Sequence, residues 1–251
     1  MNYTPQELMV AAAAREIRDG EVVFVGMRLP LIAFAVAKNM HAPTAIGYFE
    51  CGIVRDTPSR ELLYTMADPP NIYRANWATQ MLHLMGSMAA GEVDVGFIGG
   101  AQVDRYGNLN TTYIGSYQRP NVRLPGSGGA ADIASLSKRL IMIMAHEKRR
   151  FVERVDYITS PGYGMGRGWR ESAGLPRGGP SAVITTLGVL RFDENGEAFL
   201  ASYHPFSSVE EVRDHTGWEL NVVAGIGPTP PPTEEELRII HEYDPEGFWT
   251  G

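Results

Sequence analysis

Short, unbroken apolar runs alternating with capped helices constrain this chain more than any single residue does. The run Glu21-Val22-Val23-Phe24-Val25-Gly26 is apolar throughout its centre, as a strand buried on both faces of a parallel sheet must be. Ahead of it stands Thr4-Pro5-Gln6-Glu7. There Thr4 can cap, Pro5 suits the first helical position and Glu7 completes a capping box. The helix so begun carries Leu8, Ala11, Ala12 and Ala14 and is expected to end before Asp19-Gly20, with Gly20 as its stop. Pro30 to Asn39 reads as a second helix and Thr44 to Phe49 as the next strand. Thr79 to Met88 and Val93 to Ile98 repeat that order. The pattern predicts an α/β fold, an open and largely parallel sheet flanked by helices.

Beyond Asp104 the spacing shortens, which predicts additional short antiparallel strands. Asp104-Arg105-Tyr106-Gly107-Asn108 is a turn, and Leu109 to Ile114 follows as a strand. Leu140 to Met144, Val155 to Thr159, Ala182 to Thr186, Val189 to Phe192 and Ala198 to Tyr203 read as further strands. Residues 161–180, rich in Gly, Pro and Arg, read as one long loop. Ser208 to Thr216 is expected to be helical, and Thr233-Glu234-Glu235-Glu236 opens a last helix to His241 with a second capping box. No internal repeat and no interdomain linker interrupts the chain, so residues 1–251 are expected to form a single domain.

Charge and composition narrow the partners. A net charge of −7 argues against nucleic acid, whose phosphates call for a basic surface. No apolar stretch reaches the ~18 residues that would span a bilayer, and the N-terminus lacks the basic and apolar regions of a signal peptide. With Cys51 as its single cysteine the chain forms no intrachain disulfide and suits a reducing compartment; the expected location is the cytoplasm. The six histidines (His41, His83, His146, His204, His215 and His241) show no metal-ligand spacing, and no metal is expected.

Three places carry chemistry. Glu50 ends the Thr44 to Phe49 strand with Gly52 two residues on, and ligands of open α/β sheets bind beyond the C-terminal ends of strands. A carboxylate leaving an apolar strand is costly to hold without water or a partner, so Glu50 is either a structural cap or ion-pair member, or a nucleophile. Gly99-Gly100-Ala101-Gln102 and Gly126-Ser127-Gly128-Gly129 follow as loops whose backbone can approach a ligand. They are either tight turns or sources of N–H donors for an oxyanion. Cys51 has no histidine near it in sequence to act as a base and reads as a small buried residue. The run His146-Glu147-Lys148-Arg149-Arg150 reads as a solvated element end or subunit contact. No Gly-x-Ser-x-Gly elbow and no Gly-Lys-Ser/Thr loop is present, which disfavours serine hydrolases and nucleotide-phosphate binding.

Taken together these segments resemble the family I CoA-transferases, and within that family the B (beta) subunits of the glutaconate type. Phe49-Glu50-Cys51-Gly52-Ile53 resembles the family's Glu-x-Gly segment, Ile98 to Asn110 its most recognisable stretch, and Gly126-Ser127-Gly128-Gly129-Ala130 its Gly-rich loop. The likeness continues through Leu29-Pro30-Leu31-Ile32, Met144 to Phe151, Asp156 to Gly162 and Tyr243-Asp244-Pro245, so it spans nearly the whole chain. Cys51 departs from the serine or asparagine usual beside the glutamate.

The resemblance implies transfer of CoA between an acyl-CoA and a free carboxylic or dicarboxylic acid, through a glutamyl–CoA thioester on Glu50. Gln102, Gly128 and Gly129 would stabilise the oxyanion, while Gly52, Gly99, Gly100 and Ala101 would line the substrate. Coenzyme A enters as substrate, with no other cofactor. An A (alpha) subunit is the implied partner, most simply in an A2B2 assembly. Two rival readings are a CoA-ester hydrolase or decarboxylase on the same scaffold, and a non-catalytic module of the same fold.

Overall fold

The computed structural model describes residues 2–175 and 177–251. They divide into two compact units, residues 1–97 with 230–251, and residues 98–229. The single-domain expectation concerns the chain as a whole; each unit has its own architecture.

The first unit begins with α1 (Pro5–Ala14), β1 (Val22–Phe24), α2 (Leu29–Met40), β2 (Ile46–Phe49) and β3 (Ile53–Arg55), then α3 (Pro69–Ile72), β4 (Trp77–Ala78), α4 (Met81–Ala90) and β5 (Val95–Ile98). β1 lies between β5 and β2 and is parallel to both; β3 and β4 continue antiparallel from β2. The capping box of α1 forms as its sequence requires, with the Thr4 hydroxyl accepting from Glu7 N and Glu7 Oε2 accepting from Thr4 N. Phe24, Phe34, Phe97 and Leu8 are fully buried in this unit's core.

The helix stops earlier than Gly20. Its last residue is Ala14, and Nε2 of His41 lies 3.1 Å from Ala14 O and 3.0 Å from Ile17 O, serving carbonyls that a continued helix would have used. Gly20, at φ +79°, instead closes the turn into β1.

In the second unit β6 (Gln102–Val103) pairs antiparallel with β7 (Leu109–Asn110), and β8 (Tyr113–Gly115) with β9 (Pro120–Arg123). Then come α5 (Ala130–Leu136), β10 (Arg139–Met144), α6 (Trp169–Ser172), β11 (Pro180–Thr185), β12 (Gly188–Phe192), β13 (Ala198–Tyr203), α7 (Val209–Asp214) and β14 (Asn221–Val222). β10 and β11 are parallel, β11, β12 and β13 antiparallel in turn, and β14 parallel to β13. The last helix, α8 (Glu234–Tyr243), returns to the first unit and packs with α1 and α2. Its capping box, Thr233 with Glu236, also forms, and Arg15 bonds the same Glu236 carboxylate at 2.7 and 2.9 Å. The fold class is the expected one: α/β, with parallel pairs at the heart of each strand set and antiparallel strands extending from them.

Four expectations about the second unit need correction. Leu109 to Ile114 is not one strand: Asn110 Oδ1 accepts from Thr112 N at 2.9 Å and Asn110 Nδ2 donates to Tyr113 O at 2.6 Å, an Asx turn that breaks it after Asn110. Residues 155–159 form no strand, because Asp156 N donates to Gln102 Oε1 while Thr159 N and Ser160 N share Leu109 O. The 161–180 loop contains α6, whose buried Arg170 donates to Gly162 O, Arg177 O and Ala134 O and so ties the segment to α5.

His146 is likewise no solvated end. It is 4% exposed, stacked on Phe151 at 3.7 Å, with Nδ1 3.1 Å from Thr185 Oγ1 and Nε2 3.0 Å from Thr216 Oγ1. Burial pushes its pKa down to about 3, with His215 and His204 adding to the effect. His204 is also buried, between Thr229 Oγ1 and Thr185 O, and burial pushes it down to about 4. Both rings are therefore neutral in the folded chain, whereas the unfolded chain protonates them near the ordinary 6.5. Their contribution to stability is complete above pH 6.5 and is lost as the pH falls through about 4 and about 3. The slope is at most about 1.4 kcal/mol per pH unit for each ring. Urea unfolding between pH 7 and 4.5 should show stability falling with pH, and His146→Gln should flatten that slope; an unchanged slope would contradict the assignment.

Candidate functional site

Glu50 lies where the sequence puts it, in the turn just past β2, and is half-buried. Phe49 and Ile53 face each other across the β2–β3 pair, so Glu50, Cys51 and Gly52 make a three-residue hairpin loop closed by Gly52 N donating to Phe49 O at 2.9 Å. Gly52 has φ +99°. A Cβ on it would lie 2.2 Å from Thr79 O, and its own carbonyl accepts from Thr79 N at 2.8 Å. Glycine is thus required twice, by the dihedral and by the approach of another backbone. The clamp fixes the backbone of the loop that carries Glu50.

Cys51 is exposed, not the small buried residue expected. Its Sγ turns toward Met66 O at 3.0 Å, and the desolvation of that side, with smaller effects from nearby groups, raises the thiol pKa. A thiol held protonated is a poor nucleophile.

Around this turn are residues that local sequence did not single out. Thr79 clamps Gly52, and its Oγ1 lies 2.5 Å from His83 Nδ1, whose ring stacks on Trp77. Arg55, at the end of β3, is buried and donates to the carbonyls of Thr57, Asn71 and Tyr73 at 2.9, 2.6 and 2.9 Å. It anchors the segment that leads to β4. Nothing near Arg55 in sequence signals its bonds to Asn71 and Tyr73, because those carbonyls come from a distant loop.

The remaining candidates lie in the second unit. Gln102 is buried in a polar cluster: its Oε1 accepts from Asn110 Nδ2 at 2.7 Å and Asp156 N at 3.2 Å, and its Nε2 donates to Asp156 Oδ2 at 3.2 Å. Asn110 and Asp156 hold the amide that was expected to donate to an oxyanion. Gly99 and Gly100 have reasons within the chain to be glycine, since Cβ atoms there would lie 3.0 Å from Ile143 O and 2.6 Å from Leu109 Cδ2. Ala101 N is bonded to Asn110 O at 3.0 Å. Gly126 and Gly128 have φ +96° and +50°, Gly128 is exposed, and the buried Gly129 is the N-cap of α5. Next to this cluster Asp104 is buried, and burial raises its pKa against the hydrogen bonds from Asn108 and Tyr106. Asn108 in turn accepts from Gly162 N at 3.0 Å and Gly164 N at 3.1 Å. The motif from Asp104 to Asn108 is thus a structural pin.

This fold is that of a CoA-handling scaffold. Residues 6–215 match the family described as coenzyme A transferase, and the chain belongs to that family. It is similar to the B subunit of glutaconate CoA-transferase from Acidaminococcus fermentans, 40% identical over 97% of this chain and 94% of that one. The crystal structure of that organism's glutaconate coenzyme A-transferase superimposes with a TM-score of 0.93 at 37% identity, covering 100% of this chain and 98% of the other. It is also similar to the B subunit of 3-oxoadipate CoA-transferase from Pseudomonas knackmussii, 36% identical over 96% of this chain and 94% of that one. The decarboxylase AibA/AibB is a more distant structural neighbour, with a TM-score of 0.86 at 27% identity over 98% of this chain and 97% of that one.

Gly52→Ala should be strongly destabilising. It places a Cβ against the Thr79 carbonyl and forces an L residue to positive φ, which together should cost on the order of 3 kcal/mol. Urea unfolding checks this, and a change below about 0.5 kcal/mol would contradict the clamp.

Proposed function

We propose that this chain is the B-type half of a two-chain CoA-transferase that moves CoA between an acyl-CoA and a free carboxylic or dicarboxylic acid. Its activity as a CoA-transferase rests on the family and on the named relatives. The covalent role of Glu50 rests on one observation above all: a half-buried carboxylate held at the end of a parallel strand by a glycine turn that admits no side chain.

In the proposed reaction a Glu50 carboxylate oxygen attacks the thioester carbonyl of the acyl-CoA. The C–S bond breaks, CoA leaves as a thiolate, and an acyl–glutamyl mixed anhydride remains. The thiolate then attacks the glutamyl carbonyl and expels the first acid as its carboxylate, leaving CoA as a thioester on Glu50. An incoming carboxylate attacks that thioester, and the thiolate returns to its acyl carbon, freeing Glu50. A carboxylate is a weak nucleophile, so each step needs oxyanion stabilisation and exclusion of water. For the oxyanion we assign backbone N–H groups at Gly128 and Gly129 and the amide of Gln102; for substrate contact we assign Gly52, Gly99, Gly100 and Ala101. Losing one such donor typically costs about 3–4 kcal/mol of barrier.

Both named CoA-transferase relatives are B subunits, and we propose an A (alpha) chain as the partner here, most simply in an A2B2 assembly, with all of residues 1–251 acting as its B-type domain. CoA is the substrate and no further cofactor is invoked. Among the described residues no helix is long and apolar enough to cross a membrane, and we place the enzyme in the cytoplasm, where its one thiol stays reduced.

Treating the two-chain complex with acyl-CoA and then borohydride should reduce the thioester, inactivate the enzyme and mark Glu50. Glu50→Ala should lower transfer by about 1,000-fold or more, roughly 4 kcal/mol of barrier. Label on another residue, or full activity in the variant, would sink the assignment; release of CO2 without transfer to an added acid would favour the decarboxylase chemistry described for AibA/AibB. Cys51→Ser should cost less than about 100-fold, or ~2.7 kcal/mol, and a larger loss would give the thiol a role it is not assigned here.

A further inference from the structure

The segment from Asn71 to Ala90 contains one ionised side chain, Arg74, in twenty consecutive residues. It is not buried accordingly. α4 turns Leu84 and Met88 inward, while Met81, Leu82, Gly86 and Ala89 face outward, and Leu82 is 73% exposed. Ile72, Tyr73 and Trp77 are exposed just before it. At ~150–250 Å² for a whole aromatic side chain, these half-exposed groups leave on the order of 500 Å² of apolar surface. Summed along the segment, that is much of the ~800 Å² that each partner contributes to a standard interface.

Gly86 says more. It lies inside α4, where glycine costs about 1 kcal/mol relative to alanine, and its φ is not positive. A Cβ built on Gly86 meets nothing within 4 Å. Neither dihedral nor packing within the chain calls for glycine there. It shares a helix face with Leu82 and Ala89, at spacings of four and three residues. A glycine between two apolar residues on an uncharged, exposed helix face fits close approach by a backbone from outside the chain.

The face also borders the proposed nucleophile. Thr79, two residues before α4, is the residue whose backbone clamps Gly52, and His83 of α4 bonds the Thr79 hydroxyl.

We propose that this face, Trp77 with Met81, Leu82, Gly86 and Ala89, is the docking surface for the A-type chain, which packs backbone-close at Gly86 and covers the flank of the Glu50 turn. The proposal rests on the two-chain reading above. The partner surface it requires is apolar and free of unpaired charge, because α4 offers no charged side chain to meet one.

The test uses the complete chain co-expressed with a glutaconate-type A chain. In the wild-type pair, hydroxyl-radical labelling should modify Met81 and Leu82 at least 10-fold more slowly than Met165, a side chain in the second unit that is 76% exposed. Gly86→Leu and Leu82→Glu should each weaken association by 100-fold or more, and Val122→Glu, on an exposed residue of β9, should not. Labelling Met81 at the rate of Met165 in the pair would overturn the proposal without requiring any variant to fold. So would wild-type affinity in both α4 variants. Variants that alter only self-association would assign the face to a second copy of this chain and overturn the choice of partner. Normal docking with no CoA transfer would defeat the proposed activity and leave the docking surface standing, whereas failure of the wild-type chains to associate would defeat both.

Discussion

The meeting of two backbones at Gly52 and Thr79 is the constraint on which the placement of Glu50 in the first unit depends. Thr79 N donates to Gly52 O, and the Thr79 carbonyl occupies the space a side chain on Gly52 would need. The contact fixes the hairpin after β2 and so the direction in which Glu50 leaves the sheet. It also ties that hairpin to the start of α4. The reaction proposed above would need Glu50 held to within about half an ångström, and a turn fixed through main-chain atoms suits that requirement. Because the clamp acts through main-chain atoms, Cys51 can differ from the residue usual in the family without disturbing it.

The second unit is held by a different device, buried polar side chains that serve as backbone partners. The buried Asp104, Asn108, Asn110 and Gln102, with the exposed Asp156 at their edge, are bonded mainly to one another and to loop N–H and carbonyl groups. Arg170 does the same with carbonyls alone. Such a cluster stabilises only when all its members are satisfied, since an orphaned buried polar group costs about 1–3 kcal/mol. This accounts for the recognisable stretch around residues 98–110 without assigning each of its polar residues a part in catalysis. Gly99 and Gly100 belong to the same account, because neighbouring atoms already fill the space beside them. The 126–129 loop differs in that a side chain at Gly126 would meet nothing in this chain, although its φ still calls for glycine.

Sequence alone determined what depends on neighbours a few residues apart. Both capping boxes, the apolar helix α2, the buried strands β1 and β2 and the placement of Glu50 at a strand end follow from contacts within a turn or from local periodicity. Tertiary structure decided whatever depends on a partner far along the chain. Residues 155–159 have strand composition but lose their ladder to Gln102 and Leu109. His146 sits in a charged run yet is enclosed by Phe151, Thr185 and Thr216. α1 ends at Ala14 because His41, on the far side of β1 and α2, takes the carbonyls that would have continued it. Gly52 reads in sequence as a turn residue; that it is also a steric requirement appears only when Thr79 is brought against it. Backbone propensity and capping are short-range, whereas the satisfaction of buried polar groups and the space available to a side chain are set by whichever segments the fold brings together.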